Sequence, residues 1–285
     1  MAYRSVLTVA TSAQAPAASV GAAARIALQW DGHLDALAIG VDRTQIGYAY
    51  VGAYGAAGAV LLAEGMDRAE AEARATEAAL QRALEAQPAG LRASVDSAVT
   101  QLGALTDLVA ARSRYADLVV LPLPYGEGRG VEDQAVVEAA LFEGMAPVLV
   151  VPQSGLSSAD PRRIILAWNQ SREALVATHR ALPFLMRAEM VTILVVDPPV
   201  HGPERSDPGG LLCQKLVRHG VRAEVCVLAR TLPRVSDVVA RHVRDTNADL
   251  LVMGAYGHSR FREAILGGAT RDMLERAEVP VFLAH

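Results

Sequence analysis

Four glycines near the C-terminus carry the clearest chemical signal. Gly254-Ala-Tyr-Gly257 follows an apolar run, nine residues separate Gly257 from Gly267, and Gly267-Gly268-Ala269-Thr270 then opens a helical pattern. Glycine reaches positive φ without strain and lets the backbone come close to a bulky anion. The first N–H groups of a helix lack an intrahelical partner and attract negative charge. A loop of this composition between a strand and a helix therefore suits a polyphosphate. His258, Arg260 and Arg262 lie inside the loop and could screen phosphate charge, although solvated surface side chains would look the same. A tight strand-to-helix turn that binds nothing would also use glycine, so spacing and context weigh more than the count.

Such a loop works only where strands position it. Short β-branched runs at 3–10 and 162–168 are each followed by an alanine-rich helical segment, ending near Trp30 and Arg187. Second strands at 34–41 and 190–196 are continuous apolar runs, as expected of a parallel sheet covered on both faces. Third strands are expected at 91–95 and 223–228. Beyond them the chain repeats itself. Tyr115-Ala-Asp-Leu-Val-Val-Leu121 returns as Asn247-Ala-Asp-Leu-Leu-Val-Met253, an offset of 247 − 115 = 132 residues. Ala146-Pro-Val-Leu-Val-Val151 returns as Val279-Pro-Val-Phe-Leu-Ala284, at 279 − 146 = 133. The pattern predicts two tandem copies of an α/β domain, each a doubly wound, five-stranded parallel sheet with right-handed crossovers. The expected domains are residues 1–152 and 161–285, joined by the turn-forming linker PQSGLSSADP and packed against each other as an internal pseudo-dimer.

Between strands two and three the copies differ. The first carries an uncharged stretch, 44–63, read as an extended loop leading into a buried helix, and then a strongly amphipathic helix at 67–86. The second has only the Pro- and Gly-rich 202–220. The first copy also serves as an internal control for the glycine loop. Carried back by the two offsets, Gly254 and Gly257 fall on Pro122 and Tyr125, and Gly267 and Gly268 fall on Gln134 and Ala135. Pro122 fixes φ and removes a donor. Gly126, Gly128 and Gly130 lie nearby, but Glu127, Glu132 and Asp133 would repel an anion. The first copy is expected to bind no nucleotide.

The spacing Gly, two residues, Gly, nine residues, Gly, then Ser or Thr resembles the ATP-binding signature of the universal stress protein family. The flanking segments ADLLVMGAYGHSRFREAIL and RDMLERAEVPVFL are similar to that family's C-terminal segment, and Asn169-Gln-Ser after strand one resembles its opening Asp-Gly-Ser. By this resemblance ATP, with or without Mg²⁺, is the expected ligand. The base and ribose would lie near Ala167, Asn169, Val195 and Met253, and the phosphates on Gly254, Gly257, Gly267, Gly268 and Ala269. Two positions depart from the family pattern. Gly268 stands where the family has Ser or Thr, leaving Thr270 as the alternative hydroxyl. Asn169 stands where nucleotide-binding members carry Asp, keeping an acceptor oxygen without the charge.

Composition bounds the partners. A formal charge of -4 and a pI near 6.0 supply no basic field for nucleic acid or anionic lipid. The N-terminus lacks the apolar core and cleavage site of a secretory signal. The uncharged 44–63 is weakly hydrophobic, with four glycines, three tyrosines and many alanines, which argues against a membrane span. Cys213 and Cys226, without CxxC spacing, suit buried thiols in a reducing cytoplasm. The leading expectation is a cytoplasmic, ATP-binding stress-response or regulatory protein, working as a homodimer of the fused chain, with the last strand, 279–284, an edge that pairs with its counterpart or with a second chain. Alternatives are a scaffold with no ligand, a slow ATP hydrolase using Asp197, Asp237 or Glu263, and a flavin-binding relative. No Walker lysine, nucleophile elbow or HExxH word is present, so the chain is not expected to be an enzyme beyond slow hydrolysis.

Overall fold

The computed structural model describes residues 2–14, 16–44, 48–126, 128–198, 201, 204–255 and 268–285, the side chains of 16, 48–54 and 56 excepted. The chain divides into two compact units, Arg4–Ala146 and Pro147–His285, the latter together with Met1–Tyr3. Each is built of parallel strands alternating with helices.

The first unit runs β1 (Ser5–Ala10), α1 (Pro16–Gln29), β2 (His33–Asp42), α2 (Tyr48–Glu85), β3 (Arg92–Gln101), a 3-10 turn at Leu102–Ala104, α3 (Leu105–Ser113), β4 (Leu118–Pro122) and α4 (Val131–Phe142). Its strands lie in the order β3-β2-β1-β4, with parallel pairing throughout. The apolar runs of β2 and β4 are buried, as the sequence pattern requires of strands covered on both faces. The third strand continues to Gln101, well past its expected end at Val95. Along β2 it gains one partner per residue from His33↔Arg92 to Asp42↔Gln101, so ladder pairing rather than burial sets its length.

The uncharged stretch departs from the expected loop. From Tyr48 it is helical and continuous with the amphipathic helix, with Gly55 at φ 55, ψ −130 as the one interruption. Alanine, the best helix former, dominates the segment and offers the backbone no competing partner. Nor is the segment fully buried, since Val60 and Leu61 are 56% and 44% exposed. Further along, Ala69, Ala73, Thr76 and Leu80 are buried, and Leu80 packs with Val20, Ala36 and Ala38.

The second unit contains β5 (Val148–Val151), β6 (Arg163–Ala167), α5 (Arg172–Leu185), β7 (Met190–Val196), α6 (Gly210–Arg218), β8 (Ala223–Leu228), α7 (Val235–Asp245), β9 (Leu250–Gly254), α8 (Gly268–Arg276) and β10 (Val281–Ala284). Its order is β5-β10-β9-β6-β7-β8, parallel except for β5, which pairs antiparallel with β10 through Val281↔Val150 and Leu283↔Val148. The last strand of the repeat is thus paired with its own counterpart from the first half of the sequence. The start of the chain also belongs here. The Tyr3 hydroxyl donates to the Arg180 carbonyl at 2.7 Å, and its ring lies 4.9 Å from Phe184, which meets Phe282 edge-on at 6.1 Å. Such ring pairs add about 0.5–1.5 kcal/mol beyond the area they bury.

From β6 the chain moves outward to β7 and β8, then returns to β9 on the other side of β6. Strand order therefore reverses between β6 and β9. In sheets of this kind the crevice beyond the carboxyl ends of the two strands at the reversal is where ligands collect.

Candidate functional site

The carboxyl ends of β6, β7 and β9 are brought together by register. Ala167 pairs with Met253 on one side and with Leu194 on the other, so Trp168 and Val195 follow side by side. Trp168 N–H continues the ladder, donating to the Leu194 carbonyl at 2.9 Å. Ala167 and Met253 are half-buried and Val195 is buried, while Asn169 emerges exposed. These four positions, drawn from the ends of three separate strands, thus share one end of the sheet.

Asn169 and Ser171 build the start of α5. Asn169 Oδ1 accepts from the Ser171 N–H at 3.1 Å, and Ser171 Oγ accepts from the Ala174 N–H at 3.1 Å, the capping pattern that satisfies an orphan helix donor. Between them Gln170 has φ 62, a left-handed conformation that favours glycine. The Asn169 side chain therefore has a local structural task whether or not a ligand is bound.

Gly254 closes β9 directly beneath that turn. A Cβ at this position would lie 2.4 Å from the Ala174 nitrogen and 2.6 Å from the Glu173 carbonyl carbon, so only glycine lets α5 start where it does. Past it, the Ala255 N–H donates to the Ala284 carbonyl at 2.9 Å, which pins the strand end. Gly257 and Gly267, with His258, Arg260, Arg262 and Glu263, lie outside the described residues. At the other end of the loop, Gly268 and Ala269 are exposed in the first turn of α8, and a Cβ on Gly268 would meet nothing within 4 Å. Thr270 is buried, at 4% exposure. The first turn of α8 carries no acidic residue, which leaves its positive dipole end uncompensated by the helix itself.

Opposite features mark the matching place in the first unit. Gly130 precedes α4, and its N–H donates to Asp133 Oδ2 at 2.9 Å. Asp133 also pairs with Arg129 at 3.4 Å, both side chains being largely buried. Glu132, only 8% exposed, is hydrogen-bonded by Arg43 Nε, and Arg43 Nη1 reaches Glu72 at 3.0 Å. The Glu132 hydrogen bond is the main reason the Arg43 guanidinium is held above its ordinary pKa. Beneath Pro122 lies a void of about 10 Å³ among Val9, Thr11, Leu121, Asp133, Val136 and Val137. That is about the room of a single water. In the first unit two carboxylates lie in the first turn of α4, whereas the first turn of α8 has none.

Other sequence candidates are dispersed. Asp197 is exposed with φ 53, its N–H bonded to the Leu228 carbonyl at 2.8 Å, and Asp237 lies on α7, 3.6 Å from Arg276. Among the described residues no group of three His, Cys, Asp or Glu side chains could hold a metal ion. Cys213 and Cys226 are free and half-buried, and burial first, then Asp207 and Glu224 respectively, push their thiols up from the ordinary value. A cleft of about 370 Å³ at the end of β8, lined by Leu228, Thr231, Val238 and Arg241 among others, contains none of the predicted site residues. No described helix is long and apolar enough to cross a membrane. Sequence reasoning did not single out Trp168 or Glu204, whose side chains meet, Glu204 Oε2 accepting the indole N–H at 3.3 Å. Trp168 hides within a β-branched strand pattern, and Glu204 in a loop of prolines and glycines, with no spacing that links them.

Comparison with known proteins agrees with this fold. The universal stress protein family model matches residues 161–285. A universal stress protein of Synechocystis is 32% identical over 98 residues, which cover 31% of this chain and 33% of that relative's length. Among solved structures, a universal stress protein from Archaeoglobus fulgidus has a TM-score of 0.59 at 15% identity, covering 98% of this chain and 95% of its own. A functionally unknown protein from Pseudomonas aeruginosa also has a TM-score of 0.59 at 15% identity, with 99% and 92% covered. At that identity the two structures share the fold. The family model thus matches the second unit of the chain, residues 161–285, as a universal stress protein domain.

Proposed function

We propose that this protein is an ATP-binding regulatory or stress-response protein whose single nucleotide site lies in the second unit. The observation that carries the reading is the convergence of Ala167, Met253 and Gly254 at the strand reversal, together with an α8 whose first two residues are exposed and whose first turn has no acidic residue. Base and ribose would rest near Ala167, Asn169 and Val195. Phosphates would lie toward Gly254 and the first turn of α8, where backbone N–H groups are the natural partners of an anion. Mg²⁺, if it accompanies ATP, would be held by phosphate oxygens and water more than by this chain. Binding rather than turnover is the proposed role, exercised in the cytoplasm by a homodimer of the fused chain. ATP can act as a regulator only through a difference in affinity between two states of the protein.

A ligand-free scaffold is the second reading. It is favoured by Gly254 and Asn169, because each has a structural task that explains its presence without nucleotide. Chromatography of nucleotide released from freshly purified, denatured protein, together with calorimetric titration of ATP and Mg²⁺, separates the two. About one ATP per chain, lost in Gly257→Val, supports the site in the second unit. No released nucleotide and no heat on titration favours the scaffold. Multiple turnover that depends on Gly257 would instead make the protein a slow hydrolase.

A further inference from the structure

Beside the base end of the proposed site is a contact that the family pattern does not call for. Trp168 follows Ala167 at the end of β6, is 8% exposed, and lies next to Val195 in the register. Its indole Nε1–H donates to Glu204 Oε2 at 3.3 Å. The same oxygen accepts the Gly209 N–H at 3.2 Å, immediately before α6. Gly209 has φ 82, and a Cβ there would come within 3.3 Å of Ile193 and 3.5 Å of Val195. One half-buried carboxylate therefore ties the residues preceding α6 to the tryptophan at the end of β6, and so fixes the wall that covers Val195. Hydrogen bonds to a charged acceptor are stronger than neutral ones, and leaving a buried indole N–H unpaired is costly.

We propose that Glu204 is a positioning residue for the nucleoside part of the ligand: through Trp168 and Gly209 it sets the shape of the wall at Val195 against which base and ribose rest. The inference rests on the nucleotide reading of the second unit. It assigns Glu204 no contact with phosphate, because its partners belong to β6 and to the start of α6, whereas the phosphate positions belong to β9 and α8. The consequence is selective. Loss of Glu204 should weaken binding of whole nucleotides and spare binding of the triphosphate group alone.

The test compares ATP with inorganic tripolyphosphate as probes, by calorimetry, on full-length wild type, Glu204→Ala and Glu204→Gln. Trp168 emission is followed in a Trp30→Phe background, and thermal unfolding confirms that each variant is folded. In Glu204→Ala, ATP affinity should fall about tenfold, equivalent to 1.4 kcal/mol. Tripolyphosphate affinity should stay within twofold, and Trp168 emission should shift to the red as its N–H is released to water. Glu204→Gln keeps an acceptor oxygen and should restore most of the ATP affinity. If wild type binds ATP and Glu204→Ala binds it equally well, or loses both ligands in the same proportion, the positioning role is wrong while the nucleotide site stands. If wild type binds neither ligand, the site itself is wrong and this inference falls with it. Should Glu204→Ala fail to fold, Trp168→Phe removes the same hydrogen bond with a smaller change of charge and is held to the same selectivity.

Discussion

The carboxyl ends of β4 and β9 occupy equivalent places in the repeat, yet they meet their following helices in opposite ways. At β4 the chain supplies its own anions. Asp133 takes the Gly130 N–H, and Glu132 is buried against Arg43, over a void of about 10 Å³. At β9 the strand ends in a glycine pressed against the α5 backbone, and the helix beyond it begins with exposed Gly268 and Ala269 and no carboxylate. Negative charge at a helix N-terminus is favourable whether it comes from a side chain or from a ligand. The duplicated fold thus contains one helix with carboxylates in its first turn and one, α8, whose first turn has none. What separates them is a handful of side chains.

The largest expected effect tests the tight end of this contrast. Gly254→Val would drive a side chain into the Ala174 and Glu173 backbone, and overpacking of this severity costs roughly 3 kcal/mol. Denaturant unfolding of the variant should show that loss, with ATP binding abolished. Pro122→Gly, its counterpart, should create no second site, because Glu132 and Asp133 still hold the helix end. Two ATP per chain in Pro122→Gly would break the comparison.

Next in size is Arg43→Ala. It strands the Glu132 carboxylate, and because Arg43 is itself half exposed the cost should be nearer about 2 kcal/mol than the larger values of fully buried pairs. Equilibrium unfolding checks it, and ATP stoichiometry should not change. A third variant, Gly268→Ser, places a hydroxyl where open space exists, so the fold should tolerate it. Calorimetry should then show ATP bound a few-fold tighter, in line with about 1 kcal/mol for one added hydrogen bond.

The smallest effect concerns charge on α4 and α8. Glu138 of α4 matches Arg271 of α8 at the 133-residue offset (271 − 138), and burial, then Glu143, raises the Glu138 carboxyl above its ordinary pKa. A carboxyl raised in the folded state costs stability when ionised. Its contribution is therefore best below the unfolded value of 4.5 and is lost as pH rises through the folded value. Glu138→Gln should stabilise by a few tenths of a kcal/mol at pH 7, the advantage fading toward pH 4, as read from thermal unfolding across that range. An advantage that grew in acid would contradict the assigned sign.

Much of this architecture was legible in sequence because it depends on local pattern. The offsets of 132 and 133 residues placed β4 against β9 and β5 against β10, and the continuous apolar runs marked buried parallel strands. The glycine spacing pointed to the strand reversal because close backbone approach, as at Gly254, restricts residue type wherever it occurs. The uncharged 44–63 was misread as a loop because twenty residues without charge give no amphipathic period, while alanine propensity sustains the helix regardless.

Other features belong to tertiary structure alone. That Gly254 is required by the α5 backbone, that Glu132 is buried on Arg43, and that Glu204 joins Trp168 to Gly209 could not be read from spacing. Each depends on residues 36 to 89 positions apart, or on a backbone contact across 80, meeting at distances of a few ångströms. The sequence by itself determined the repeat, the strand runs and which copy kept its glycines, because these follow from residue type and period along the chain. The tertiary structure decided which carboxylates fill the start of α4 and which backbone Gly254 must clear, because charge pairing and exclusion of solvent are settled only where separate strands converge.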